Sequence, residues 1–266
     1  MNGKSDRQKR IRSLRLTTFR KNYPKDLELN DLVKDHQSHF FLRNPAGQRT
    51  YIYLTEYIKA VAEFQFSRPA SEIKILDWGA GKGHVSYLLR KQGTDVTACD
   101  IENKATDSSF NQAVPILAKT RIPVTPLLHP YKLPFENASF DVVLSVGVLE
   151  HVPEEKNSLV EISRVLKKNG LFLCFFLPQK GSWIQRIEHL RSNYYHTRLY
   201  DLQTIKRLLS PTGLELIDYW HRSLFPKNRA RYPFYHSFEI FDQLLCKNTI
   251  LKYTATNIEF VAIKNG

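Results

Sequence analysis

Asp77 stands just before three alternating glycines, Gly79, Gly81 and Gly83. These glycines follow an apolar run and precede apolar residues at helical spacing, so they lie at a strand-to-helix turn. Glycine allows positive φ angles and lacks the side chain that would block a ligand. In an open α/β sheet, such a turn usually borders a ligand crevice. The stretch therefore predicts a turn that passes close beneath a bound nucleotide-like molecule.

Two acids indicate which ligand this turn favours. The usual dinucleotide turn reads G-x-G-x-x-G, and its helix start meets a pyrophosphate. Here the spacing is G-x-G-x-G, and Asp77 would repel a pyrophosphate but hold an ammonium group. Asp100 closes the next apolar run, where an acid typically accepts hydrogen bonds from ribose hydroxyls. Both ligand classes share a ribose, so the glycine spacing and Asp77 discriminate between them.

Predicted strands and helices alternate along the chain, and they position these residues. Strands are predicted at 74–77, 95–100, 122–128, within 140–152, and at 171–177, 213–220 and 257–264. Helices are predicted at 51–66, 83–91, 157–166 and 201–209. The third helix is expected to end at a left-handed Gly170. This alternation predicts a mostly parallel, doubly wound sheet with an antiparallel last strand.

Three stretches carry a resemblance to a known family. They are "ILDWGAGKGHVSYLL", "VTACDI" and "LPFENASFDVVLSVGVLEHV" with its continuation "LVEISRVLKKNGLF". Over residues 70–180 the sequence resembles the class I S-adenosylmethionine-dependent methyltransferases of the ubiquinone-biosynthesis-like, methyltransferase-11 type. The resemblance implies a Rossmann-like doubly wound sheet of seven strands with helices on both faces. It also implies S-adenosyl-L-methionine as the cofactor.

The family also implies roles at matching positions. Asp77 and the glycines would line the methionine end of the cofactor, Asp100 would bind the ribose hydroxyls, and Ile101 would pack on the adenine. The strand end at 145–146 would pass beside the cofactor. The predicted cofactor-binding residues are Asp77, Trp78, Gly79, Ala80, Gly81, Gly83, Asp100, Ile101, Tyr131, Ser145, Val146 and Arg49.

One family segment departs from the pattern. The family usually reads "DAExLPF", whereas this chain reads "HPYKLPF", with His129 and Tyr131 in place of the two acids. The adenine end would then be held by Tyr131 or by backbone groups. Upstream, "RNPAGQRTYIYL" is faintly similar to a family segment whose Arg reaches the cofactor carboxylate, and Arg49 is the candidate here.

A methyl transfer from this cofactor needs a general base only when the acceptor is a weakly acidic hydroxyl. His151, just after the fourth strand, is the first candidate base, and His196 in "NYYHTRLY" is the second. The alternative is that His151 is a structural residue of "LEHV" and that His196 belongs to a packed aromatic cluster.

The charge distribution and the cysteine content indicate where in the cell the protein is expected. Nine Lys and Arg against one acid occupy residues 1–25, so +8 of the net charge of +13 lies in this segment. We interpret 1–25 as a basic N-terminal arm that is either solvated or a contact to an anionic membrane. Three scattered cysteines predict neither disulfides nor a metal site and fit the cytoplasm. We therefore expect a cytoplasmic protein, peripheral to a membrane if the arm binds one.

The rest of the chain is predicted as one methyltransferase domain, 26–266. It would have an N-terminal helical cap (26–70) and insertions at 180–200 and 221–255 that form the acceptor wall. The leading interpretation is transfer to oxygen of a small-molecule or lipid- or sugar-linked acceptor. The alternatives are an RNA methyltransferase, which needs a basic stripe near the crevice, and a non-catalytic partner subunit. A nicotinamide oxidoreductase is disfavoured by the glycine spacing.

Overall fold

A computed structural model describes residues 2–23, 26–34, 41–101, 116–191, 196–225 and 235–265. Seven strands form one sheet in the order β3-β2-β1-β4-β5-β7-β6. They are β1 (Lys74–Trp78), β2 (Asp95–Ile101), β3 (Val124–Leu127), β4 (Phe140–Val146), β5 (Leu166–Pro178), β6 (Leu214–Arg222) and β7 (Asn257–Lys264). Strands β1 to β5 pair in parallel, and β7 runs antiparallel to both β5 and β6. The predicted sheet is confirmed.

Nine helices surround this sheet in the described residues. They are α1 (Asn2–Arg20), α2 (Leu27–Val33), α3 (Pro45–Phe66), α4 (His84–Lys91), α5 (Ile116–Lys119), α6 (Glu155–Val165), α7 (Trp183–Leu190), α8 (Leu202–Leu209) and α9 (Tyr235–Asn248). Helices α1, α3 and α4 pack on one face of the sheet, and α6 and α8 pack on the other. Because both faces are covered, the central strands β4 and β5 are long apolar runs rather than alternating ones.

The site is positioned by one edge of the sheet. Strands β1, β2, β4 and β5 are parallel, so their carboxyl ends meet at the same edge, here named the carboxyl edge. Strand β6 also ends there, because β6 and β5 are both antiparallel to β7. The strand order reverses between β1 and β4, and ligands of open α/β sheets bind outside the carboxyl ends at such a reversal.

The N-terminal segment differs from a solvated arm. Residues 2–20 are a helix whose Ile11 and Phe19 are buried against α3. Arg12 donates to Asp218 of β6 at 2.7 Å. Arg15 is buried, and its guanidinium lies 4.6 Å from the ring centre of Trp220. The basic residues thus find acidic and aromatic partners some 200 positions along the chain, which their local sequence does not reveal.

No helix in the described residues is long and apolar enough to cross a membrane.

The predicted cap and insertions contain helices that the sequence did not predict. The cap 26–70 holds α2 in addition to α3, which was predicted at 51–66 and begins at Pro45. The stretch 180–200 holds α7, and 221–255 holds α9 and a 3₁₀ helix at Ile250–Thr254. The remaining parts of these segments, 35–40, 192–195 and 226–234, lie outside the described residues. The division into arm, domain, cap and insertions stays a prediction.

The predicted left-handed cap at Gly170 is wrong. Helix α6 ends at Val165, and β5 begins at the next residue. The left-handed residue of this turn is Asn169, with φ +61°. Gly170 is required for a different reason, because a Cβ there would lie 2.8 Å from the carbonyl oxygen of Lys167.

Candidate active site

The glycine turn, which holds Gly79, Gly81 and Gly83, connects β1 to α4 at the carboxyl edge. All three glycines have positive φ angles, of +73°, +51° and +80°. A Cβ at Gly79 would lie 2.5 Å from the side chain of Val148, and one at Gly83 would lie 2.0 Å from that of Leu117. At Gly81 the nearest atom, a backbone oxygen of the turn, would be 3.9 Å away. Two glycines therefore permit close packing, and Gly81 borders open space that a ligand can enter.

Asp77 lies at the end of β1, directly beneath this turn, and its side chain is buried. Its Oδ2 accepts a hydrogen bond of 2.6 Å from the Ser86 hydroxyl on α4. Burial raises the pKa of Asp77 to about 6, although the Ser86 hydrogen bond opposes this shift, and the Asp100 carboxylate raises the pKa further. Asp77 is thus a carboxylate held in a dry site without a countercharge from its described neighbours.

Asp100 lies at the end of β2, next to the glycine turn. Its carboxylate accepts hydrogen bonds from the backbone N–H groups of Gly81 and Ile101. Burial raises the pKa of Asp100 as well. The Ile101 side chain is 62% exposed at the strand end, so it offers apolar surface to a ligand. The structure therefore brings Asp77, Asp100 and Ile101 together around the turn, and their contacts with the cofactor stay predictions.

The departure at His129 has a structural explanation. His129 Nδ1 accepts from the backbone N–H groups of Tyr131 and Lys132, at 3.4 and 3.2 Å. Its ring also packs edge-on against Tyr131, with the ring centres 4.4 Å apart. His129 thus holds its own loop in shape. Tyr131 is half-buried, and its predicted contact with the adenine stays a prediction.

Trp78 and Ala80 direct their side chains into the core, where they are 3% and 6% exposed. Only their backbone groups therefore remain to line a ligand. Ser145 and Val146 end β4, which pairs with β1 so that Ser145 lies beside Trp78. The Ser145 side chain is fully buried, and that of Val146 is partly buried. Gly147 follows with φ +69° and turns the chain away from the strand.

The groups that S-adenosylmethionine carries can be compared with the charges of these residues. The cofactor carries an ammonium group, a sulfonium cation and a ribose. No cation contributes to the pKa of Asp77 or of Asp100 in the described residues, and burial raises both values. A buried carboxylate is stabilised by a paired cation. The two acids and the open space at Gly81 therefore fit a ligand with positive charge at one end and hydroxyl donors beside it.

Glu150, His151 and His196 form a cluster just beyond the end of β4, here named the His-Glu cluster. One nitrogen or carboxylate oxygen of each residue lies within 4.8 Å of one from each of the others. His151 Nε2 is 3.8 Å from Glu150 Oε1, and the two imidazole centres are 5.4 Å apart. The sequence offered the two histidines as alternatives, and the structure brings them together. Glu150 was not predicted, although its position beside His151 in "LEHV" was the available signal.

Burial sets the protonation of this cluster. It raises the pKa of Glu150 to about 7. It lowers the pKa of His151, with a further decrease from Arg198. It lowers the pKa of His196 to about 4, and His151 adds to this decrease. Both imidazoles are therefore neutral at pH 7, so either can accept a proton or bind a cation.

The segment that carries the second histidine is fixed on the chain that follows β4. Arg198 donates to the backbone carbonyl oxygens of Val152 and Pro153. The buried Tyr200 hydroxyl donates to the Glu155 carboxylate. These contacts tie residues 196–200 to the carboxyl end of β4 and hold the cluster in place.

Arg49 does not join the cofactor residues. Its buried guanidinium forms an ion pair with Glu239 of α9 and donates at 2.7 Å to the carbonyl oxygen of Phe19. The predicted contact with the cofactor carboxylate gains no support from these bonds and stays a prediction. A sequence signal for this ion pair was absent, because its partners are 190 positions apart.

A buried ionic network extends from this pair across the carboxyl edge. Arg222, at the end of β6, lies 3.6 Å from Glu239 and 3.7 Å from Glu259. The Trp220 indole N–H donates to Glu259 at 2.7 Å. The guanidinium of Arg222 also stacks on Tyr53 of α3, 5.1 Å from its ring centre. The network fixes α9 and β6 against α3, so it holds the described parts of the predicted acceptor wall, 221–225 and 235–255, in place.

Aromatic rings that the sequence did not single out lie beside the glycine turn. Tyr51 packs edge-on against His84, the first residue of α4, with ring centres 4.2 Å apart. Phe41 and Phe176 lie against this pair, and Lys82 Nζ is 5.0 Å from the Phe41 ring centre. Aromatic faces attract cations. Here the cation on the Phe41 ring is the chain's own Lys82, so the wall offers apolar surface beside the turn.

Comparison with known proteins supports the same chemistry. The family model described as "Methyltransferase domain" matches residues 76–174. A Mycolicibacterium smegmatis protein, named "Probable S-adenosylmethionine-dependent methyltransferase", is 26% identical over 152 residues, 54% of this chain and 52% of the relative. The ubiquinone biosynthesis O-methyltransferase of Paramagnetospirillum magneticum is 35% identical over 108 residues, 40% of this chain and 41% of the relative. The chain thus spans about half the length of these relatives or less.

Solved structures agree on the fold. An S-adenosylmethionine-dependent methyltransferase of Methanosarcina mazei superposes with a TM-score of 0.52 at 17% identity, over 76% of this chain and 97% of its own. One from Thermotoga maritima gives 0.51 at 16% identity, over 85% and 99%. At these identities the likeness shows the fold. Together with the family match over residues 76–174, it confirms the resemblance to the class I S-adenosylmethionine-dependent methyltransferases seen in the sequence.

Proposed function

We propose that the protein transfers a methyl group from S-adenosylmethionine to a hydroxyl oxygen of a small-molecule or lipid- or sugar-linked acceptor. The observation that carries the oxygen assignment is the His-Glu cluster at the end of β4, the strand beside the one that bears the glycine turn. A hydroxyl is a weak nucleophile until it loses its proton, and a neutral imidazole at this place can take that proton.

The chain's own contribution is binding and alignment. Asp77 would hold the ammonium group, Asp100 the ribose hydroxyls, and Ile101 the adenine face. The cofactor supplies a methyl group already activated by its sulfonium, so the protein mainly brings the acceptor oxygen into line with it. His151 or His196 accepts the hydroxyl proton, and the Glu150 carboxylate, 3.8 Å from His151 Nε2, stabilises the imidazolium that results.

The named relatives support oxygen as the acceptor atom. Several of them, including those of Rickettsia akari and Maricaulis maris, are ubiquinone biosynthesis O-methyltransferases. We extend the acceptor atom alone to this chain. The acceptor class is inferred from the aromatic rings beside the glycine turn, those of Phe41, Tyr51 and Phe176, which offer apolar surface to an aromatic or lipid-linked hydroxyl.

The cofactor is tested by calorimetric titration with S-adenosylmethionine and S-adenosylhomocysteine, with NADH as the negative control. We expect binding of the first two and none of NADH. Asp100→Ala removes the predicted ribose contacts and should weaken binding about 10- to 100-fold, as for the loss of hydrogen bonds to a charged group. Asp95→Ala, at the exposed start of the same strand, is the matched control. Equal losses in both variants would contradict the assigned role of Asp100.

The acceptor is tested with isotope-labelled S-adenosylmethionine against phenolic lipids, glycolipids and total RNA. Label on a lipid or small-molecule hydroxyl supports the proposal, and label on RNA alone overturns it. His151→Ala and His196→Ala should each reduce turnover on a hydroxyl acceptor while leaving cofactor affinity unchanged. Full turnover in the double variant would remove the cluster from the reaction.

The basic segment 1–25 is proposed to contact an anionic membrane surface. Helix α1 supports this through exposed cationic side chains, those of Lys9, Arg10 and Arg20. We expect vesicle binding that weakens with salt, since the attraction is between exposed charges. Salt-independent binding would contradict this role.

A further inference from the structure

We propose that α9 and the 3₁₀ helix Ile250–Thr254 form a surface that binds an anionic lipid bilayer. This surface, named the α9 surface, combines exposed apolar side chains with the exposed Lys247 and the half-buried Lys252. Its apolar side chains are Phe241, Leu244, Ile250, Leu251 and Tyr253.

The apolar exposure of the α9 surface is concentrated. Twelve large apolar side chains are exposed in the described residues, and five of them lie within 241–253. Ile250 is 80% exposed, Tyr253 58% and Phe241 52%. The other seven are spread between residues 27 and 190. Scattered apolar residues are normal on a surface, but a concentrated group marks an interaction site.

The charges of the same segment are sorted by sign. Its two acids, Glu239 and Asp242, are buried. Glu239 pairs with Arg49, and Asp242 accepts the backbone N–H of Leu224 at 2.9 Å. The charges left at the surface between 237 and 254 are those of Lys247 and Lys252. Apolar side chains flanked by cations, without an exposed acid in this segment, are what a membrane interface containing anionic lipid attracts.

The α9 surface also borders the carboxyl edge. The segment leaves β6 and enters β7 at that edge. Gln179, just after β5, donates to the carbonyl oxygen of Tyr253 at 2.6 Å, and its backbone N–H donates to Thr256 at 2.9 Å. A bilayer on this surface therefore lies on the side of the sheet that holds the candidate active site. If the proposed methyl transfer holds, the acceptor is a lipid that reaches the His-Glu cluster from the bilayer. The docking itself does not depend on that reaction.

The proposal is tested by flotation with phosphatidylcholine vesicles, with and without phosphatidylglycerol. We expect the full chain to bind the anionic vesicles more tightly. The double variant Ile250→Glu/Leu251→Glu should reduce the partition coefficient at least about tenfold, because it removes inserted apolar area and adds repelled charge. Leu128→Glu is the matched control, since Leu128 is 81% exposed outside the α9 surface. Lys9→Glu on α1 changes the basic segment alone, so its effect on vesicle binding can be compared with that of the double variant on the α9 surface.

Retained binding in the control and loss in the double variant supports the proposal. Absence of vesicle binding by the full chain overturns it, and so does equal binding by the double variant. A concentration-dependent dimer in light scattering, lost in the double variant while vesicle binding is absent, would assign the surface to a second copy instead. Melting temperature and S-adenosylmethionine affinity, measured on each variant, show that the fold and cofactor site are intact. Failure of docking is thereby distinguished from failure of the proposed reaction.

Discussion

At the scale of single residues, the candidate site contains carboxyl groups that lose their protons less readily because they are buried. Asp77, Asp100 and Glu150 all have a raised pKa, and burial is the largest cause for each. Perturbed groups of this kind cluster at functional sites. The residue types and spacing identified the first two acids. Glu150 was missed because its burial follows from the packing beyond β4 rather than from its neighbours in sequence.

Asp77 should make cofactor binding depend on pH. Its pKa of about 6 means that the free protein carries a protonated Asp77 in much of its population below pH 6. The ammonium group of the ligand prefers the ionised form, so the affinity for S-adenosylmethionine should rise between pH 5 and 7. The slope should approach about tenfold per pH unit at the acid end. Asp77→Asn should bind weakly with a flat profile. Calorimetric titration across this range checks the prediction, and a flat wild-type profile would contradict it.

Glu150 should reduce stability at alkaline pH. A carboxyl whose pKa is raised from 4.5 to about 7 on folding stabilises the fold fully below pH 4.5 and loses that contribution as the pH rises through 7. Glu150→Gln removes the buried charge, so the variant should be more stable than wild type at pH 8, by on the order of 1–3 kcal/mol. The two proteins should differ little at pH 4.5. The same variant should turn over more slowly if the Glu150 carboxylate stabilises the protonated His151. Thermal unfolding at both pH values decides the stability part, and equal midpoints at pH 8 would contradict it.

At the scale of elements, the strands were predictable and several helices were not. Strand β7 was predicted with its observed bounds, Asn257–Lys264, because a buried strand is a continuous apolar run with clear ends. Helices α2, α7 and α9 carry mixed polar and apolar residues. The inner face of α9 is defined by distant partners, because its Glu239 pairs with Arg49 and Arg222. Periodicity within the segment does not contain that information.

The glycines of the turn have two functions, close packing and access for the ligand, and substitutions can separate them. Gly83→Ala places a Cβ 2.0 Å from Leu117 at a φ of +80°, so it should cost about 2–3 kcal/mol of stability. Gly93→Ala is a matched control with the same φ and no atom within 4 Å, and it should cost about 1 kcal/mol from the backbone alone. Gly81→Ala should resemble the control in stability but lose S-adenosylmethionine affinity, because its methyl group enters the ligand space. Chemical denaturation and calorimetry measure the two effects. Undiminished affinity in Gly81→Ala would place the ligand elsewhere.

At the scale of the whole molecule, α1 closes one side of the sheet. It lies over β6, the edge strand, and over α3, with Ile11 and Phe19 in the core. Deleting residues 1–25 would therefore uncover Trp220 and other core side chains as well as remove charge. Charge substitutions on the exposed face of α1 are thus the cleaner test of its membrane role.

The packing of α1 on β6 includes an ion pair with a buried acid, Asp218. This contact predicts how the stability of the whole fold changes when the pair is broken. Asp218 is fully buried, and Arg12 of α1 is the cation that bonds to it at 2.7 Å. Arg12→Ala leaves that charge without its partner, so it should cost about 1–3 kcal/mol of stability. Asp218→Asn in the Arg12→Ala background should restore part of the loss, because it removes the unpaired charge. Lys9→Ala, whose closest acid is 3.9 Å away on the surface, should leave the melting temperature unchanged. Denaturation of the three variants measures these differences. An unchanged midpoint for Arg12→Ala would mean that α1 is held by its apolar face alone, and the basic residues of the segment would then be free to serve the membrane contact.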